Sequence, residues 1–136
     1  MAKTYKVFIS HSWDHVSDLK RLRDLLHNRG YFKVEFTEAS PANPIHSDKN
    51  KNIRIELSKR IESSDIVLGI AGLYASYSDW MEWELDKAIE KKIPIVGVVP
   101  WGQINISRVV TNRAKEVVRW NTESIVAAIR RNAQSD

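Results

Sequence analysis

Short apolar runs alternate along this chain with stretches whose apolar residues recur every three or four positions. The first pattern is that of buried strands and the second that of amphipathic helices. Tyr5 to Ser10 (YKVFIS) is a short β-rich run. Val16, Leu19, Leu22 and Leu26 then make a helical stripe, with Gly30 placed to end it as the C′ residue. Tyr31 to Thr37 reads as a second strand. A loop with Pro41, Asn43 and Pro44 leads into a helix carrying Ile53, Leu57 and Ile61. Ile66 to Ile70 (IVLGI) is apolar throughout, as a central parallel strand covered on both faces must be. The helix that begins near Trp80 turns Leu85, Ala88 and Ile89 inward, and Ile93 to Val99 is another buried strand. Pro100-Trp101-Gly102 breaks the chain. Glu116 to Trp120 is a weaker fifth strand, after which Asn121 or Thr122 caps a last helix packed through Ile125, Ala128 and Ile129.

Five strands alternating with helices in so short a chain imply an α/β fold, an open doubly wound parallel sheet with short connections. The expected architecture is flavodoxin-like, in three α/β/α layers with strand order 2-1-3-4-5. Residues 1–136 read as a single domain whose last residues, 132–136, form a frayed tail. In such a sheet, ligands bind beyond the carboxyl ends of the strands at the switch point, here between the first and third strands. The segments expected to meet there are Ser10 to Asp14 and Ala71 to Asp79.

Composition narrows the class without naming a function. Hydrophobic residues make up 43% and charged residues 28%, and no apolar run approaches the roughly 20 residues that span a bilayer. The apolar stretch at Tyr5 to Ile9 is too short for a signal peptide. With no cysteine, disulfide scaffolding and thiol catalysis are excluded, and a cytoplasmic protein is expected. A net charge of +4 is mildly basic. The cations from Lys49 to Arg60 fall around Ile53, Leu57 and Ile61, so they read as the outer face of a packed helix and not as a nucleic-acid stripe.

The segment Trp80-Met81-Glu82-Trp83-Glu84-Leu85 places two indoles and two carboxylates in the first turns of one helix. With Asp79 as N-cap, Glu82 completes a capping box. Glu84 lies one turn beyond Trp80 on the same face and borders the expected crevice, where an indole and a carboxylate suit a flat, cationic or cation-forming ligand. Its structural alternative is a solvated acid paired with Lys87 or Lys91. Ser10-His11-Ser12-Trp13-Asp14 follows the first strand, and Asp14 or Ser12 can serve simply as a helix cap. Ser10 and Ser12 remain candidate contacts to sugar or phosphate. His11 and His15 are four apart but straddle a loop and a helix, so no metal site is expected. Other chemistries of this fold lack their residues: Ile70 and Ala71 stand where a phosphoacceptor aspartate would end the third strand, and neither a dinucleotide glycine motif nor a Walker lysine is present.

Taken together, Val7-Phe8-Ile9-Ser10-His11-Ser12, the apolar third strand after Ser64-Asp65, Ser78-x-Trp80-x-x-x-Glu84-Leu85, and Ile93-Pro94-Ile95-Val96-Gly97-Val98 resemble a TIR domain. The similarity is closer to the compact bacterial and archaeal TIR-like proteins, which include the sensor enzymes of the Thoeris antiphage system, and it spans nearly the whole chain. Met81 stands where many TIR domains carry cysteine, Lys6 where an acid often precedes the first apolar run, and the segment from Glu38 to Asp48 lacks the signals of receptor-adaptor members.

The resemblance implies cleavage of the nicotinamide glycosidic bond of NAD, by hydrolysis or cyclisation of the ADP-ribose part, in bacterial defence. NAD is then a substrate, and no cofactor is expected. Glu84 matches the catalytic glutamate, Trp80 would wall the pocket, and Ser10, His11, Ser12 and Trp13 would contact the substrate from the first loop. Self-association or a partner would assemble the active form, with the loop from Glu38 to Asp48 settling over the site. Two rivals differ in class: a non-catalytic TIR-type interaction module, and a basic nucleic-acid binder whose affinity would fall steeply with salt.

Overall fold

In a computed structural model of the chain, the residues described are 4–11, 16–36, 50–72, 79–100, 102 and 106–133. Five strands and five helices alternate: β1 (Thr4–Ser10), α1 (Val16–His27), β2 (Lys33–Phe36), α2 (Asn50–Glu62), β3 (Ile66–Ile70), α3 (Asp79–Glu90), β4 (Ile95–Val99), α4 (Arg108–Thr111), β5 (Glu116–Arg119) and α5 (Thr122–Asn132). The sheet is parallel throughout, in the order β2-β1-β3-β4-β5. This is the flavodoxin-like arrangement expected, with β1 and β3 adjacent at the switch point.

β3 and β4 are apolar throughout because each is covered on both faces, and Val7 to Ile9 of β1 join them in the core. On one face Val7, Ile9, Leu68, Val96 and Val98 pack with Leu22 and Leu26 of α1 and Ile125 and Ile129 of α5. On the other, Phe8, Val67, Ile95 and Val99 pack with Leu57 and Ile61 of α2, Met81 and Leu85 of α3, and Val110 of α4. Alternation along each strand divides its residues between these two layers. Edge strands β2 and β5 show half-buried and exposed residues in alternation instead.

Helix ends follow local chemistry, and several differ from the sequence reading. Lys92, at φ 61, takes the left-handed position after α3. The N–H of Ile93 then donates to Ala88 O at 2.8 Å and that of Lys92 to Ile89 O at 3.0 Å, a Schellman closure with Ile93 buried beneath it. Ile93 therefore belongs to this cap, and β4 starts two residues later. After α1 the left-handed residue is Tyr31, at φ 59, and not Gly30, so β2 begins only at Lys33. Ile89 was expected inside but is 51% exposed, because Met81, Leu85 and Ala88 already fill the inward stripe of α3. Asn121 caps α5, its side chain accepting from the Ser124 N–H at 3.0 Å. Asn132, expected at the start of a frayed tail, ends α5 and donates to Glu116 Oε1 at 2.8 Å.

Between Gly102 and β5, a segment to which the sequence pattern assigns no element, lies α4. Gly69 and Gly97 are register partners on β3 and β4, and α4 rests on them. A Cβ at Gly69 would lie 3.2 Å from Val110 Cγ1, and one at Gly97 would lie 3.0 Å from the same atom. The missing side chains are what admit Val110 to the sheet surface.

Candidate functional site

Ser10 is the last residue of β1 and pairs in register with Gly69, which pairs in turn with Gly97. A row of three very small residues thus crosses the central strands near their carboxyl ends, on the face covered by α3 and α4. Small residues let a helix approach the sheet closely. Val110 fills the space above the two glycines, and Glu84 of α3 reaches Ser10. The Ser10 hydroxyl donates to Glu84 Oε1 at 2.8 Å, a contact between residues 74 apart in sequence. Ser10 is fully buried and Glu84 half-buried, so the carboxylate sits at the boundary between the core and the carboxyl edge of the sheet. A hydroxyl-to-carboxylate bond in that setting is charge-assisted and weakly screened.

The outer side of α3 is held separately. Arg113, just after α4, donates through Nε to Asp86 Oδ1 at 2.7 Å and through Nη1 to Val109 O at 3.0 Å, and its Nη2 lies 3.5 Å from Glu82 Oε1. Its guanidinium is held above its ordinary pKa, chiefly by the hydrogen bond to Asp86, with the Asp86 and Glu82 charges adding to it. One end of α4 thereby ties to α3, while at the other the Ser107 N–H donates to Ala71 O at 3.3 Å, directly beyond β3. The short helix braces α3 against the edge where Glu84 stands.

Glu82, expected to complete a capping box with Asp79 as N-cap, instead lies 3.5 Å from Arg113 Nη2. Asp79 is the first residue of α3, so the capping position falls on residue 78, outside the described residues. The lysines offered as alternative partners of Glu84 are engaged elsewhere: Lys87 with Glu90 at 2.5 Å and Lys91 with Glu62 at 3.8 Å.

Of the expected site residues, the structure brings Ser10 and Glu84 together. His11 follows them at the end of β1, half-buried. Trp80 lies in α3 four residues before Glu84, and its side chain is outside the described residues, as are Ser12, Trp13 and the loop from Glu38 to Asp48. Sequence reasoning missed the supports of the site: the paired glycines, Val110 and Arg113. The two glycines inside apolar strands were the available signal, since a strand-interior glycine marks a close approach. Among the described residues there is no cluster of three or more histidine, aspartate or glutamate side chains able to hold a metal ion. None of the described helices is long and apolar enough to cross a membrane.

Comparison with known proteins bears on the fold and the family. A search of curated protein sequences gave no significant match. Among solved structures, the chain resembles the SEFIR domain of interleukin-17 receptor B (12% identity, TM-score 0.58, 96% of this chain and 98% of that one). It also resembles a 2-deoxyribosyltransferase from Bacillus psychrosaccharolyticus (22% identity, TM-score 0.55, 88% and 89%). A third is the CMP N-glycosidase BcmB of Clostridium botulinum (12% identity, TM-score 0.55, 92% and 98%). At these identities the likeness establishes the fold alone. Residues 8–105 match a family model described as Thoeris protein ThsB, TIR-like domain, and this match takes in both Ser10 and Glu84. With more than half of its length matched, the chain belongs to the Thoeris ThsB TIR-like family.

Proposed function

We propose that this protein cleaves the nicotinamide glycosidic bond of NAD, with Glu84 as the catalytic carboxylate. The observation that carries the reading is the half-buried Glu84 carboxylate, bonded to Ser10 at the carboxyl edge of the sheet beside the switch point. Family membership supports it. So does the chemistry of two proteins of similar fold, a 2-deoxyribosyltransferase and a CMP N-glycosidase, both named for work at a nucleoside glycosidic bond.

One carboxylate is enough for this reaction. Nicotinamide in NAD is already cationic, so the bond from C1′ to the ring nitrogen breaks with both electrons going to the ring, and neutral nicotinamide leaves without a general acid. Positive charge develops at the anomeric carbon, and a fixed carboxylate nearby stabilises it most where water is scarce. Glu84 also accepts hydrogen bonds from the ribose hydroxyls. Water adding to C1′ and losing a proton completes hydrolysis, and attack by a group of the same molecule gives a cyclic product. Ordinary glycosidases need a second carboxyl group because their leaving oxygen must be protonated. Trp80 stacks on a flat ring of the substrate, and His11, Ser12 and Trp13 complete the pocket from the first loop. Self-association or a partner completes the active form in this reading.

The test is to incubate the purified protein with NAD and measure free nicotinamide, for the wild type and for Glu84→Gln. Substituting the amide keeps the shape and the acceptor for Ser10 but removes the charge. The wild type is expected to release nicotinamide and the variant to release none, with its melting temperature little changed. An active, folded Glu84→Gln protein would sink the assignment.

A further inference from the structure

We propose that Ser10 is a positioning residue that acts on substrate only through Glu84, which revises the direct substrate contact expected from its sequence. The inference rests on the reading of Glu84 as the catalytic carboxylate. It starts from the row of small residues across the sheet, where the same packing need is met by glycine at 69 and 97 and by serine at 10. Ser10 alone of the three brings a polar atom. A fully buried hydroxyl costs free energy unless it is paired, and Phe8, the buried β1 residue two positions before it in this layer, is apolar. Alanine would fill the position without that cost. The hydroxyl adds only hydrogen bonding, and its donor is directed at Glu84 Oε1, 2.8 Å away.

The placement suits the task. Ser10 ends β1 and pairs in register with Gly69 of β3, so its Oγ stands on backbone that the sheet holds in place. A glutamate side chain has three rotatable bonds, and ordering them during catalysis would raise the barrier. Ser10 orders the carboxylate before the substrate arrives, while Arg113 holds the helix that carries it from the opposite side. Full burial of Ser10 leaves its side chain no surface to offer a ligand.

Steady-state kinetics on NAD with Ser10→Ala and Ser10→Cys, beside wild type, separate positioning from contact. For Ser10→Ala, kcat is expected to fall by about 10- to 100-fold, the cost of a carboxylate misplaced by roughly an ångström, with KM changed less than about two-fold. Cysteine, of similar shape and a weaker donor, should recover part of the rate. A rise in KM at unchanged kcat would overturn the proposal in favour of direct contact, and so would unchanged values of both. A second arm needs no turnover: urea midpoints of Ser10→Ala, Glu84→Ala and the double variant. Paired side chains give a double variant less destabilised than the sum of the singles, whereas additive midpoints would overturn the pairing. If wild type released no nicotinamide, the proposed function would fail by itself, and the midpoints would still decide whether Ser10 holds Glu84.

Discussion

Replacing Gly97 with alanine tests how closely α4 is seated on the sheet. The added methyl would lie 3.0 Å from Val110 Cγ1 and 3.3 Å from Val117 Cγ2. Val117 is 39% exposed and can turn away, but Val110 is fully buried and cannot. Overpacking of a buried contact costs about 1–3 kcal/mol. Gly97 lies in a strand and has no positive φ, so alanine fits its backbone and regains about 0.4–1 kcal/mol by restricting the unfolded chain. The net expectation is a loss of roughly 0.5–2 kcal/mol. For a domain of this size that lowers the melting temperature by about 2–10 °C, readable by calorimetry or circular dichroism. Val110→Ala is destabilising alone through the space it leaves, yet in the double variant the new methyl occupies part of that space. The two changes should therefore fall short of additivity by about 0.5 kcal/mol or more. A Gly97→Ala protein as stable as wild type, or strict additivity with Val110→Ala, would refute the claim that the glycine exists to admit Val110.

Three further outcomes are expected. Glu82→Gln removes one exposed partner of Arg113 and should cost at most about 1 kcal/mol by urea titration, with NAD cleavage unaffected, in contrast to the loss expected for Glu84→Gln. Asn121→Ala removes the cap of α5 and should destabilise the fold by about 0.5–2 kcal/mol; an unchanged midpoint would mean that the cap contributes nothing. Glu90, Glu116 and Glu123 are held below the usual carboxylate range by hydrogen bonds to Lys87, to Arg131 and Asn132, and to Arg29 respectively. Their folded values are depressed, so their stabilisation is present above the ordinary glutamate pKa and is lost as pH falls through and below that range. Melting temperatures measured from pH 7 to pH 3 should show this acid loss, reduced by added salt, and a flat profile would contradict it.

The alternation of apolar runs and helical stripes in the sequence determined the α/β layers and pointed to the strand order 2-1-3-4-5 that the sheet adopts. That was legible because parallel strands buried on both faces must be apolar throughout, and covering helices must carry one apolar stripe. Glu84 stood out for a related reason: helical spacing put it on the same face as Trp80 and apart from Glu82. Tertiary structure alone decided what each of these side chains meets. Ser10 and Glu84 are 74 residues apart, and Arg113 joins Glu82 and Asp86 from another helix, contacts that no local periodicity encodes. The seating of α4 depended on two glycines in neighbouring strands falling into register, and register is a property of the assembled sheet. The left-handed turns at Tyr31 and Lys92 were equally invisible, because glycine is the local signal for that conformation and neither position carries it. At Lys92 the burial of Ile93 beneath the helix end accompanies the turn that glycine would otherwise have marked.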